Sequence, residues 1–147
     1  MEIKESIDGK TPALPDLFAW ADGELRIMSA YCRSCGTYFF PASHAQHRSG
    51  CSREGVENVL LSSQGKLATY TVQHYMCPPP FKIHGDITPY GLGMVEFPEG
   101  ISICGLIMET DLSALEIGMP METIPYTLYQ DEEGGDVVTW AFRQVKA

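Results

Sequence analysis

The stretch YCRSCGTYFFPASHAQHRSGC, residues 31–51, decides how the rest of the chain is read. It opens with two thiols three residues apart, Cys32 and Cys35, followed at once by Gly36. That spacing puts both sulfurs on one tight turn, where they reach the same ion, and glycine supplies the backbone freedom such a knuckle needs. Half a metal site is thereby defined. The other half has three candidates close behind: Cys51, His47 and His44. A structural Zn2+ would supply the folding energy that a segment with so little apolar side chain to bury lacks. The alternative is a CxxC that holds no metal beside two surface histidines.

The whole chain has 147 residues and a formal net charge of -9, and its charges are unevenly placed. After Lys82 no lysine or arginine appears until Arg143, while Asp86, Glu96, Glu99, Glu109, Asp111 and six further carboxylates fill the interval. Such a surface repels a phosphate backbone, whose binding depends on Lys and Arg displacing counterions, so no nucleic acid is expected as a partner. The cysteine count of 5 is odd, and two of the five form the CxxC. The N-terminus, MEIKESIDGK, has no apolar signal core. Both features fit reduced cysteines in the cytoplasm rather than a secreted disulfide framework. No apolar run approaches the roughly 20 residues of a membrane span, so no membrane partner is expected either.

Outward from the knuckle, the N-terminal side reads as an extended arm and then a short amphipathic helix. Leu14, Leu17, Phe18 and Ala21 fall at i, i+3, i+4 and i+7, with Gly23 placed to end the helix. A helix of two or three turns needs a surface to lie on. Either it packs on its own domain or Trp20, off the main stripe, docks on another subunit. Residues 24–28 alternate like an edge strand leading into the knuckle. Residues 38–41 suggest a strand ending in a turn, and residues 56–61 a strand returning from a second knuckle, where Gly50 flanks Cys51 as Gly36 flanks Cys35. Two knuckles joined by short strands describe a zinc ribbon.

From Gly65 on, the texture is β: alternating or β-branched runs separated by Gly, Pro and acidic turns. Residues 66–76 should place Leu67, Thr69 and Thr71 on one face and Ala68, Tyr70 and Val72 on the other. Pro78, Pro79 and Pro80 lack the amide donor a ladder requires, so they and Phe81 form a loop. Strands over 90–97 and 101–109 make a hairpin, residues 112–115 a turn of helix, and 121–129 and 137–142 complete the set. Five strands with a long loop after the first suit a small closed barrel of the OB type, with a sandwich as the fallback. The chain therefore divides into an arm and helix over 1–30, a ribbon over 31–62 and a barrel over 63–147.

In this order of elements, the chain resembles the acyl-CoA-associated OB-fold proteins with a rubredoxin-like zinc ribbon, a family long catalogued as a domain of unknown function. The matching pieces are Phe18 and Trp20 with Gly23, Glu24 and Leu25; Cys32-Arg33-Ser34-Cys35-Gly36; Gly65-Lys66-Leu67 leading into Thr71-Val72; Pro89-Tyr90 followed by Val95-Glu96; and Ile117-Gly118-Met119-Pro120. The resemblance covers nearly the whole chain, and only the CxxCG is specific alone. It implies an accessory subunit, non-catalytic or co-catalytic, rather than a free-standing catalyst, assembling with a thiolase-like enzyme, or a hydratase-like one. The partner's acyl-CoA channel and coenzyme A thioester would be shared with it. Many relatives close the ribbon with a second CxxC. Here Arg48 stands three before Cys51 and cannot ligate, because it stays protonated. His47 is the replacement this implies, giving a closed Cys32, Cys35, His47, Cys51 set for structural zinc, with His44 as second choice.

Three further readings concern partners and chemistry. The apolar loop residues Pro79 and Phe81, with Tyr90 and with Trp20 of the N-terminal segment, are candidates to face the partner or the acyl-CoA. Cys104, in mid-strand, reads as a small buried hydrophobe. Cys77, near His74 and His84, could in principle form an acyl-transfer pair, but no third group to orient the base is evident. A single-stranded nucleic-acid-binding OB module is the alternative from a different class, opposed by the acidic barrel. A stand-alone thioesterase ranks third.

Overall fold

A computed structural model describes residues 3–4, 9–44, 47–77, 83, 85–108 and 111–145. The strands are β1 (Ile3–Lys4), β2 (Lys10–Pro12), β3 (Phe18–Ala21), β4 (Glu24–Cys32), β5 (Thr37–Phe39), β6 (Val56–Leu60), β7 (Gln64–Gln73), β8 (Tyr90–Glu96), β9 (Ser102–Ile107), β10 (Pro120–Gln130) and β11 (Asp136–Gln144). One 3-10 turn, Leu112–Ala114, lies between β9 and β10. Its first turn is capped by Asp111, whose carboxylate accepts from the Ser113 amide. The proline loop over 78–82, His84, Lys82 and Glu109 lie outside the described residues.

No helix forms over 14–21; the segment ends in strand β3 instead. Asp22 and Gly23 adopt φ of 52° and 80°, and Ala21 pairs with Glu24 across them. Positive φ at both central residues is the two-residue turn whose twist matches that of two antiparallel strands, and Asp-Gly is its preferred sequence. The glycine that would have ended a helix therefore reverses a hairpin. Tertiary burial adds to this: Phe18, Trp20 and Leu25 pack with Val138 of the barrel in a cluster of their own. Four consecutive residues, Phe18 to Ala21, are all buried, as in a strand covered on both faces.

β4 is the long element of the first sheet and carries the chain without a break from the hairpin into the Cys-rich segment. Its first half pairs with β3, and its second half with both β5 and β6, all antiparallel. Where β4 passes under β5 the fully buried Ser29 donates its hydroxyl to the carbonyl of Phe39 at 2.8 Å, so the polar atom costs little.

The remaining strands close into a five-stranded barrel. Its ring order is β7-β8-β9-β11-β10, and β10 pairs back with β7. Every pairing in the ring is antiparallel except β9 with β11. This is the OB arrangement expected from the strand spacing. β2 lies parallel to β11 outside the ring, so part of the N-terminal arm is stitched to the barrel. Inside, Leu67, Val95, Phe97, Ile103, Ile107, Met121 and Phe142 form the core, and Ile27 and Leu61 enter the same cluster from the first sheet. The two sheets thus share apolar packing.

The expected alternation in β7 holds for only part of the strand. The ladder to β8 slips between Leu67 and Thr69, where a bulge changes which face the following side chains take. Leu67 is buried, and Tyr70, of opposite parity, packs on the same core and donates its hydroxyl to Leu115 O at 3.2 Å.

Candidate metal centre

Cys32 ends β4 and is fully buried, while Cys35 sits on the turn that follows. The turn is fixed by the Gly36 amide donating to Cys32 O at 2.8 Å, with Gly36 at φ 66°. The second knuckle repeats the device: the Cys51 amide donates to Arg48 O at 3.1 Å, and the preceding Gly50 has φ 82°. A clasp joins the two. The Arg33 amide donates to Gly55 O at 3.2 Å and the Ser34 hydroxyl to Glu54 O at 2.6 Å, while Ser52 reaches Ser34 at 3.1 Å.

These turns bring Cys32, Cys35, His47 and Cys51 together, with one donor atom from each within 4.8 Å of all the others. Cys32 Sγ lies 3.6 Å from Cys51 Sγ, and Nδ1 of His47 lies 3.4 Å from Cys51 Sγ and 3.7 Å from Cys35 Sγ. A tetrahedral ion with metal–sulfur bonds of about 2.3 Å and metal–nitrogen bonds of about 2.0 Å separates its ligands by about 3.5 to 3.8 Å. The donor spacing therefore suits one four-coordinate thiophilic ion. The His47 ring is set edge-on against Phe39 at 5.5 Å between centroids, which orients Nδ1 toward the sulfurs. His44 is exposed, and its Nδ1 meets the Ser43 hydroxyl at 3.1 Å instead. The sequence alone left the two histidines ranked, and the geometry places His47 in the cluster.

Backbone amides aim at the sulfurs as well, a feature that no residue type advertises. A hydrogen bond from the Thr37 side chain, then one from the Arg48 amide, pulls the Cys35 thiol down to about 5. At Cys51 the Arg53 amide, 3.2 Å from Sγ, also pulls downward, but burial and the neighbouring Cys35 and Cys32 sulfurs outweigh it and raise the thiol. Crowding of sulfurs raises the cost of the Cys51 thiolate, and a cation at their centre is what would relieve it.

The other singled-out residues are placed as follows. Trp20 is 5% exposed and packs on its own chain, in the hairpin–barrel cluster. Tyr90 is likewise buried, its hydroxyl 2.8 Å from Cys77 Sγ. Pro79 and Phe81 lie outside the described residues. The hydrogen bond to Cys77, with burial behind it, pushes the Tyr90 phenol up to about 12, so it stays protonated and cannot serve Cys77 as a base. Among the described residues no histidine hydrogen-bonds Cys77. Cys104 is exposed, contrary to the expectation of burial, because Ile103 and Gly105 hold the inward positions of β9 and the alternation turns Cys104 out. Trp140 carried no signal in the sequence. It meets Phe18 at 6.3 Å and Phe40 at 5.6 Å between centroids and donates Nε1–H to Cys104 O at 2.9 Å, tying hairpin, ribbon and barrel together.

Comparison with known proteins agrees with this architecture. Residues 58–124 match the family described as ChsH2, C-terminal OB-fold domain. A DUF35 domain-containing scaffold protein of Methanocaldococcus jannaschii is 30% identical over 118 residues, covering 80% of this chain and 79% of that one. The corresponding scaffold protein of Methanothermobacter thermautotrophicus is 29% identical over 118 residues, covering 80% and 84%. The benzoylsuccinyl-CoA thiolase subunit BbsA of Thauera aromatica is 27% identical over 133 residues, covering 89% and 86%. Among solved structures, a chain of the Ltp2-ChsH2(DUF35) aldolase superposes with a TM-score of 0.61 at 24% identity, covering 81% of this chain and 84% of that one, a likeness of fold. With its OB barrel, its Cys/His cluster and this similarity along most of its length, the chain belongs to the DUF35 family of OB-fold scaffold proteins.

Proposed function

We propose that this protein is a non-catalytic, zinc-containing scaffold subunit of a thiolase-type complex, acting in the reducing cytoplasm. The observation that carries the reading is the 133-residue similarity to a protein named as a thiolase subunit. Zn2+ is the ion the donor set suits, since three thiolates and one imidazole fill a tetrahedral shell and leave no position for water. The ion would be held by Cys32, Cys35, His47 and Cys51, and its role would be to staple the two knuckles. The thiols that meet a histidine, Cys35 and Cys51, belong to the metal cluster, and Cys77 meets only the protonated Tyr90 hydroxyl, so thiolytic cleavage or condensation is assigned to the partner. The acyl-CoA thioester would be shared with the partner, which supplies most of the phosphate contacts, because exposed cations near the cluster are few: Arg33, Arg48 and Arg53. No helix among the described residues is long and apolar enough to cross a membrane.

The test is co-expression with a thiolase-type chain from the same genome, followed by size-exclusion chromatography, metal analysis and a thiolase assay on the peak. A hetero-oligomer with about one zinc per chain of this protein, active only as the complex, is the expected result. Failure of every thiolase-type chain to associate, with association of a hydratase-type chain instead, would replace the partner in this reading. Thioester turnover by this protein alone would overturn its non-catalytic role.

A further inference from the structure

In a barrel standing free in water, strands alternate apolar residues inward with polar residues outward. β8, β9 and β10 do not. Pairing aligns Leu92 with Leu106, Leu106 with Ala141, and Ala141 with Ile124, one row running across four strands on the outer face. Each of these residues has the opposite parity to a barrel-core neighbour: Ile107, Phe142 and, on β9, Ile103 point inward. The next outer row begins with Met94 opposite Cys104. The run from Ile103 to Met108 consequently contains no polar side chain apart from the thiol, the signature of a strand covered on both faces.

The outer row has its own packing with Tyr90 and Tyr126, and yet Leu92, Met94 and Ile124 remain half-exposed and Cys104 exposed. A hollow of about 200 Å3 opens within the band, lined by Leu92, Leu106, Cys104, Trp140, Cys77 and Tyr90. Alternation puts Glu96 at the end of β8 and Glu122 at the start of β10 on this same outer face, Glu96 opposite Lys66 and Glu122 paired with Arg143 of β11. An apolar centre with a hollow for one large side chain, bounded by charged side chains of both signs, is the anatomy of a protein interface.

We infer that this outer face of β8, β9, β11 and β10 is the surface on which the catalytic partner docks, seating an apolar side chain in the hollow. The inference rests on the scaffold reading above and adds to it the surface used. Charge selects the occupant. A second copy of this chain would bring a formal net charge of -9 against an equal -9, whereas a partner of opposite net charge is drawn to it.

Leu92→Lys and Ile124→Lys test the surface, with Glu57→Lys, on an exposed position of β6, as the control substitution. The readouts are the affinity for the co-expressed thiolase-type chain, the melting temperature and the sedimentation of the isolated protein. The two band variants should weaken the complex at least about tenfold, as interface-core substitutions do, while the isolated protein stays monomeric with its melting temperature little changed. Unchanged affinity in both variants overturns the surface and leaves the scaffold reading intact. Failure of the wild-type protein to bind any thiolase-type or hydratase-type chain overturns the scaffold reading, and the surface with it. A wild-type dimer that Leu92→Lys dissociates overturns the choice of partner in favour of a second copy. A fall in melting temperature as large as a core substitution gives would show that the face is covered within the chain, which also overturns the proposal.

Discussion

Gly105 occupies a point on β9 where a side chain has no room: a Cβ there would lie 2.7 Å from Cε2 of Phe142 and 2.8 Å from Nε1 of Trp140. Neither neighbour yields easily, since Phe142 is fully buried and Trp140 is held by its hydrogen bond to Cys104 O. Gly105→Ala is therefore expected to destabilise the protein by about 1 to 3 kcal/mol, the usual cost of overpacking, read as a lower urea midpoint with an unchanged slope. At the metal cluster, His47→Ala should leave substoichiometric zinc after purification, and His44→Ala should keep the wild-type content, both measured by elemental analysis. Equal loss in the two variants would sink the assignment of the fourth ligand. The cluster was legible from sequence because ligand chemistry is local: Cys32 and Cys35 share a turn, and Arg48 excluded the position where a fourth cysteine would stand. The amides of Arg48 and Arg53 that point at the sulfurs were not legible, because every residue but proline has an amide and only the fold aims it.

At the scale of elements, the hairpin of β3 and β4 turns on Asp22 and Gly23. Gly23 has φ 80° with open space around its Cα, so Gly23→Ala meets no clash and isolates the backbone cost. That cost should be about 1 to 2 kcal/mol, the penalty for an L side chain in the left-handed region, seen in the thermal or urea transition. Asp22→Asn should be neutral, since asparagine tolerates the same conformation. A neutral Gly23→Ala would mean that the turn relaxes and does not set the register of β3. The same hairpin shows why the helical period over residues 14–21 does not decide the N-terminal element. Four residues are too few to display alternation, and Leu14, Leu17, Phe18 and Ala21 satisfy a helical period by coincidence. Asp-Gly between Ala21 and Glu24 was the stronger signal. Longer strands such as β8, β9 and β10 declared themselves by length and by the turns between them. The bulge in β7 did not, because it belongs to the pairing with β8 and not to either strand.

For the whole molecule, the distribution of buried apolar residues predicts what metal removal does. The knuckle region buries only Ala30, Cys32 and Phe39 in its own cluster, with Cys35, Ala42 and Cys51 partly covered around them. That is too small a core to fold unaided, and a structural metal would supply what is missing. The barrel core is far larger and includes Ile27 and Leu61 from the first sheet, so it should survive on its own packing. The two regions are nevertheless in contact, because Phe40, one residue past β5, lies edge-on to Trp140 at 5.6 Å. Stripping the metal with a strong chelator under reducing conditions should therefore disorder the knuckles, release Phe40 from Trp140 and change the tryptophan emission. A cooperative thermal transition from the barrel should persist at lower temperature. Trp20, buried in the other cluster against Phe18 and Leu25, should contribute little to the change. Phe40→Ala separates the steps: it should remove most of the chelator-dependent emission change while leaving the zinc content as in the wild type. Emission unaltered after complete zinc loss would show that the knuckles hold their shape without metal, and the ion would then not be a structural staple.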